Sequence, residues 1–299
     1  MRTTSRRRPF EDRPSPWLTP LLAVLTALYL YPLLEVVRLS FTDAGAVSQP
    51  YAYTLASYRG VLTSPEFASM TRITLTFVIA SVAGQLIFGM AIAALVIAGE
   101  RRRLPGAALV RAIVLIGWVM PGVVIGIIWR MLLDESGAGI MAYAATAFGV
   151  RDPVFISAPF PALLWVTIAN IWRGTAFSMV MQYAGMKTVP IELYEAATID
   201  GAGGWQKFRH VTLPSTRGIT LINLILITVA TLNTFDMIMP LTGGGPGRAT
   251  EVVALYIYKL VFAEFSLARG AAAAVLLMLA GLALSLAYFR ALQRDAEAT

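Results

Sequence analysis

The sequence predicts an all-α polytopic membrane protein: six transmembrane helices, with a cytoplasmic two-helix loop between the fourth and fifth. Three observations predict it. Of 299 residues, 57% are hydrophobic and only 14% charged, against roughly 25% charged in soluble domains. The mean hydropathy is +0.69, and apolar runs recur that reach the about 20 residues a helix needs to cross the hydrocarbon core. Basic residues then cluster beside alternate runs, as topology determinants do.

The first predicted span runs from Trp17 to about Phe41, with Glu35 and Arg38 one turn apart near its far end and able to pair. It reads as an uncleaved anchor, because the apolar run exceeds a signal-peptide core and five further spans follow. The second, Ile73 to Gly99, contains no charged residue. The third covers Val110 to Leu133, with Pro121 inside it and Trp129-Arg130 near its end. The fourth spans about Phe160 to Met186 and carries Arg173 in its middle. The fifth runs from about Ile219 to Pro240 and the sixth from Gly270 to Phe289. The chain thus divides into a basic tail (1–16), a membrane domain (17–290, with the polar loop at 187–217) and a short C-terminal tail (291–299).

Charge fixes the orientation. Arg2, Arg6, Arg7, Arg8 and Arg13 precede the first span, and Arg101, Arg102, Arg103 and Arg111 lie between the second and third. Lys187, Lys207, Arg209 and Arg217 lie between the fourth and fifth, and Arg290 and Arg294 follow the sixth. These segments fall on one side and hold 15 of the 24 basic residues, so that side is cytoplasmic and both termini are there. The basic excess is thereby explained by topology, without nucleic acid.

Function classes narrow quickly. Cys is absent and His210 is the single histidine, which excludes disulfides, thiolate metal sites and multi-histidine centres. Gly243 to Gly245 is not followed by Lys-Ser/Thr, and no GxxxxGK[ST] occurs anywhere, so the chain has no phosphate loop of its own. No catalytic constellation surrounds His210. An enzyme is not expected.

The loop at Glu195 to Pro214 reads EAATIDGAGGWQKFRHVTLP. Pro190 can open a helix, since a first-turn proline loses no intrahelical bond, and Ile191 to Ile199 has helix-forming content. Asp200-Gly201 breaks it, because glycine takes left-handed angles cheaply. Trp205 to His210 forms a second short helix, and Pro214 precedes the next span. Ala196, Ala197 and Ile199 then present a small apolar knob, with Glu195 beside it.

Glu195-Ala196-Ala197, then Gly201, then Val211, Leu213 and Pro214, closely resembles the loop by which bacterial ATP-binding-cassette importers couple a membrane subunit to a separate ATPase. Pro121 with Trp129-Arg130 resembles the third-span region of carbohydrate-importer permeases. Trp172 with Ala176-Phe177 resembles their fourth span, although a proline is usual where Ala176 stands. Leu241-Thr242-Gly243-Gly244-Gly245-Pro246 looks like the outer loop of the maltose and glycerol-phosphate importer subunit that pairs with a second, non-identical permease. The resemblance covers about residues 17 to 290. It implies the type I importer permease fold in the bacterial inner membrane. The implied partners are a sister permease, two ATPase subunits that bind the ATP and Mg, and an external binding protein delivering an oligosaccharide or polyol-like solute. Glu195, Ala196, Ala197, Asp200, Gly201, Leu213 and Pro214 would couple to the ATPase. In that scheme ATP closing the ATPase dimer draws the two loops together and opens the spans outward, and hydrolysis returns them.

Polar groups inside spans are costly unless they face a cavity or a partner helix. Asn170, Arg173 and Gly174 lie within one turn of the fourth span, and Thr231, Asn233, Thr234 and Asp236 near the outer end of the fifth. They are the candidate substrate contacts, with Trp172, Phe235 or Tyr256 for stacking. In sugar-importing relatives, Asn170 and Gly174 fall at positions lining the substrate site. Interhelical hydrogen bonding is the competing role for each: Arg173 is expected to pair with Asp236 or a sister-subunit carboxylate, and Gln85 to serve packing. The alternative function is a self-contained secondary transporter, for which neither an inverted repeat nor buried coupling acids are visible.

Overall fold

The computed structural model describes residues 15–46 and 50–297; most of the expected basic tail lies outside them. The first helical stretch comprises α1 (Ser15–Leu25), a π-helical turn (Thr26–Leu30) and α2 (Tyr31–Ser40). The helices that follow are α3 (Ala56–Leu62), α4 (Pro65–Arg101), α5 (Ala107–Val119), α6 (Gly122–Leu132), α7 (Ile140–Ala147) and α8 (Pro159–Lys187). Then come α9 (Ile191–Ile199), α10 (Gly204–Lys207), a π-helical turn (Phe208–Thr212), α11 (Leu213–Ser215) and α12 (Arg217–Leu232). The chain continues through α13 (Ile238–Thr242), α14 (Val253–Phe262) and α15 (Leu267–Glu297). Among the described residues the only β pairing is one antiparallel bridge, Thr42 with Tyr53.

Among the described residues three helical stretches are long and apolar enough to cross a membrane: Leu18–Ser40, Pro65–Arg101 and Leu267–Arg290. Two bent pairs bring the number to five if each is one span. The helix α8 has the length, 29 residues, but Asn170, Arg173 and Gln182 dilute its apolar character.

Two expected spans are broken rather than straight. Pro121 has no N–H to give and holds the residue before it extended; Met120 sits at ψ 134°. The axis turns by 102° between α5 and α6. The expected fifth span stops as helix at Leu232, and residues 233–237 are irregular before α13 resumes. Non-helical backbone at membrane depth is tolerated where protein or a cavity surrounds it. The last helix, by contrast, runs on to Glu297, through the segment expected as a tail.

The chain forms two compact units. One takes the described residues through Thr63 together with Leu260–Leu276; the other takes Ser64–Lys259 and the chain from Leu277 onward. In the first, Arg38 Nε donates to Glu35 Oε2 at 2.8 Å, the pair expected from their spacing. The peptide N–H groups of Leu267 and Ala268 donate to Gly45 O and Ala44 O.

In the second unit α4 packs along α8, and α12 lies against both. The core gathers Phe77, Ile125, Val166, Met237, Ile238 and Leu255, all almost fully buried. Between α6 and α7, Glu135 accepts the peptide N–H groups of residues 155, 156 and 157 at 2.6, 2.6 and 3.0 Å. Burial opposes its charge, but the Ser157 side chain and these three donors outweigh it and hold its carboxyl below the usual range.

Candidate functional site

Two places carry the chemistry, both in the second unit. The first is a cavity of about 520 Å³, walled by α8, by α12 and by the irregular stretch after it. All seven residues singled out as substrate contacts line it: Asn170, Arg173, Gly174, Thr231, Asn233, Thr234 and Asp236. On α8 the first three fall on one face because four residues return nearly a full turn. From α12, Thr231 points in. Past the helix end, the irregular backbone delivers Asn233, Thr234, Phe235 and Asp236. The fifth span, expected as helix to about Pro240, is therefore irregular where Asn233 and Asp236 stand.

Electrostatically the cavity is closed on one side by an ion pair. Arg173 donates to both carboxylate oxygens of Asp236, at 3.0 Å each, a two-point contact that fixes geometry as well as charge. Gly122, the first residue of α6, leaves room for it: a Cβ there would stand 1.8 Å from Asp236 Oδ2 and 2.9 Å from an Arg173 nitrogen. The bend at Pro121 thus brings a glycine against the pair.

Gln85 of α4 forms the floor. Its amide donates to Asn170 O at 3.2 Å and reaches Thr231 Oγ1 at 3.5 Å. A Cβ on Gly174 would lie 2.2 Å from the Gln85 amide carbon, so any larger residue there must displace the Gln85 side chain. Gln85 packs as expected and also faces the cavity. Asn170 is 3% exposed and its Nδ2 has no hydrogen-bond partner among the described residues, although a buried amide left unpaired is costly. Asn233 Nδ2 instead donates to Val229 O at 2.8 Å, and Thr234 Oγ1 to Ala230 O at 3.1 Å.

The aromatic lining differs from expectation. Phe235 is in place, but Trp172 and Tyr256 do not line the cavity; Trp118 and Phe177 do, with ring centroids 5.7 Å apart. Trp172 stands two residues from Asn170, about 200° around α8, and is turned towards Trp129. Tyr256 is buried beside Phe67. The residue that could have been found from the sequence is Phe177, one turn beyond Arg173; Trp118 becomes visible only once α5 is folded against α8.

The second place is the helix pair after α8. The helix α9 covers Ile191–Ile199 as expected and ends on Gly201 at φ +76°. There Ala202 N–H donates to Ala197 O and Gly201 N–H to Thr198 O, the paired bonds that close a helix on a left-handed residue. The second limb is longer than expected: it is helical from Gly204 through Ser215, so Leu213 and Pro214 lie inside it. The π-helical turn, in which Leu213 N–H reaches back to Phe208 O, accommodates Pro214 there. The axis then bends by 72° into α12.

Polar bonds hold the pair rigid. Tyr194 Oη meets Thr212 Oγ1 at 2.9 Å, and Lys207 Nζ donates to Thr198 Oγ1 at 2.8 Å. At its root, Lys187 contacts Glu100 at 2.6 Å, and Tyr183 Oη donates to Glu100 at 2.8 Å. Its outward surface carries apolar groups among polar ones: Ile199 is 86% exposed, and Leu193 and Ala196 are exposed as well. Glu195, Asp200 and Gly201 are exposed and Ala197 is half-buried. Among the described residues no group of three His, Asp or Glu side chains could hold a metal.

Comparison with known proteins agrees in fold and sequence. Residues 86–297 match the family described as binding-protein-dependent transport system inner membrane component. The chain is 32% identical over 243 residues to the trehalose/maltose transport system permease protein of Thermococcus litoralis, covering 81% of each chain. It is 26% identical over 280 residues to the sn-glycerol-3-phosphate transport system permease protein of Brucella abortus, covering 93% of each. In structure it resembles a chain of a bacterial ABC transporter involved in import of the acidic polysaccharide alginate, with TM-score 0.82, 20% identity and 94% coverage of each chain.

Proposed function

From the premise that this chain belongs to the binding-protein-dependent transport system inner membrane components, we propose that it forms half of a translocation path for a carbohydrate or a polyol-like solute. It is a multi-pass permease subunit of an ATP-binding-cassette importer, a transport protein and not an enzyme. The carbohydrate reading rests on the cavity: hydrogen-bonding amides and hydroxyls from Asn170, Thr231, Asn233 and Thr234 beside the rings of Trp118, Phe177 and Phe235. Sugars are bound by such a mixture, and the volume lies in the roughly 300–1,000 Å³ range of small-molecule sites. The relatives named for trehalose/maltose and glycerol-3-phosphate transport point the same way. A self-contained secondary transporter is not the reading that this family supports.

In this reading the helix pair is the coupling element. Glu195, Ala196, Ala197, Asp200 and Gly201 seat in a groove on an ATPase subunit, and Leu213 and Pro214 set the second limb. ATP and Mg are held by that partner, a sister permease completes the path, and an external binding protein delivers the solute. Both termini and the helix pair face the cytoplasm. Rigidity matters because a displacement at Ile199 must reach α12 without being absorbed, and the Tyr194–Thr212 and Lys207–Thr198 bonds supply it.

The test is solute-stimulated ATP hydrolysis by the assembled transporter in proteoliposomes, with maltose, trehalose and sn-glycerol 3-phosphate as probes. One of these, presented on the cognate binding protein, should stimulate hydrolysis, and Asn170→Ala should reduce transport while basal hydrolysis persists. Stimulation and uptake unchanged by Asn170→Ala and Gly174→Val together would overturn the cavity as the substrate site. Failure of the chain to capture an ATPase subunit on co-purification would overturn the coupling role.

A further inference from the structure

Another hollow of the second unit has a different character. It measures about 880 Å³ and lies between the last turns of α4 and the second limb of the helix pair. On α4 its floor is one stripe, Ile87, Met90, Ala94 and Ala98, spaced by three and four residues and ending in Arg101 and Arg102. From Ile87 to Ala98 the helix rises about 16 Å, close to half of a hydrocarbon core about 30 Å thick. The facing wall is Met186 and Phe208, and Lys207 joins the two arginines at the charged end. Trp205, 71% exposed, also lines the hollow and stacks on Phe208, and indole rings favour a membrane interface.

The charge at the rim is one-sided. Among the described residues no carboxylate lines the hollow. Glu100, the neighbour of Arg101 in sequence, is already engaged by Lys187 and Tyr183. Arg101 lies 4.2 Å over the Tyr194 ring of α9, and Lys207 donates to the neutral Thr198 hydroxyl.

An apolar slot one leaflet deep, capped by three cations, matches one kind of molecule. We propose that it binds an anionic glycerophospholipid, an acyl chain along the α4 stripe and the phosphate at Arg101, Arg102 and Lys207. Since Arg101 rests on α9 and Lys207 belongs to the second limb, the headgroup ties the end of α4 to the helix pair. The site depends on neither the cargo nor the ATPase partner.

Trp205 fluorescence in the full-length chain reports occupancy, its share taken as the difference between the natural protein and Trp205→Phe. Nanodiscs of phosphatidylcholine carry equal mole fractions of either phosphatidylglycerol or phosphatidylcholine brominated on the acyl chains. Brominated phosphatidylglycerol should quench Trp205 at about tenfold lower mole fraction, from the attraction of anionic lipid to clustered cations. Arg101→Gln with Arg102→Gln and Lys207→Gln should make the two lipids equal. Ala91→Phe, which fills the slot from an exposed position and keeps every cation, should weaken quenching by phosphatidylglycerol. Inorganic phosphate should not displace it. Equal quenching by the two lipids in the natural protein overturns the proposal, and that comparison needs no variant to fold beyond Trp205→Phe. A preference that survives the triple substitution or Ala91→Phe, or displacement by inorganic phosphate, overturns it equally.

Discussion

The cavity and the helix pair invert each other. Around the cavity, polar groups sit inside an apolar sector and are almost all partnered: Arg173 on Asp236, and Gln85 on Asn170 O and Thr231. In the helix pair, polar groups form the internal frame, and the apolar ones, Ile199 foremost, face outward. Each arrangement is costly in its own solvent unless something outside the chain repays it. An unpaired amide such as Asn170 Nδ2 asks for a hydroxyl-bearing ligand. An exposed apolar knob on a stiff frame asks for a groove. On the proposed function, the difference separates residues that hold the structure from residues that would hold a partner.

The largest effect is expected where the cavity wall loses a charge. Asp236→Ala leaves Arg173 without its counter-ion; with the two side chains 27% and 35% exposed, water screens part of the loss and it falls to about 2–3 kcal/mol, below that of a fully buried pair. Chemical unfolding in detergent should show that loss, and Arg173→Met combined with Asp236→Leu should recover most of it. A neutral Asp236→Ala would break the comparison, because the pair would then not be holding the wall.

Next comes Gly174→Val. The new Cβ falls 2.2 Å from the Gln85 amide carbon, and overpacking of this kind costs about 1–3 kcal/mol. Gln85→Ala in the same chain should relieve it, which thermal unfolding of the single and double variants measures. Without that relief, the α4–α8 approach is not set by this contact.

The helix pair was legible because its determinants are local. Pro190 opens α9 and Gly201 closes it, and both act through their own backbone angles. The second limb ran further than expected because a π-helical turn lets Pro214 stay inside, and no composition rule signals that turn. The cavity was legible in part. Asn170, Arg173, Thr231 and Asp236 betray themselves as polar residues in apolar runs. What encloses them is tertiary: Trp118 reaches the cavity from α5, and Gly122 makes room for the ion pair only because the chain turns by 102° at Pro121. A proline within a span announces a kink, but its angle is decided by the helices packed around it.

A smaller stability effect with a larger functional one is expected at Gly201. Valine in a left-handed conformation costs about 1–2 kcal/mol, borne locally by the turn between α9 and α10. Amide hydrogen exchange should quicken across residues 191–215 and stay unchanged in α8. In the assembled transporter, ATP hydrolysis should lose its dependence on solute. Unchanged coupling would show that the pair need not be stiff.

The smallest expected stability change carries the sharpest test. Ile199→Ser alters a side chain that is 86% exposed, and surface substitutions of this sort fall within about 0.5 kcal/mol. The isolated chain should unfold as before, because that side chain buries little surface in its own frame. Capture of the ATPase subunit should weaken, since a hydroxyl carried into an apolar groove is desolvated without a partner. Asp236→Ala must do the reverse, lowering stability while leaving capture by the folded fraction intact. If both substitutions moved stability and capture together, the two regions would form one cooperative element, and the division between holding the fold and holding the partner would fail.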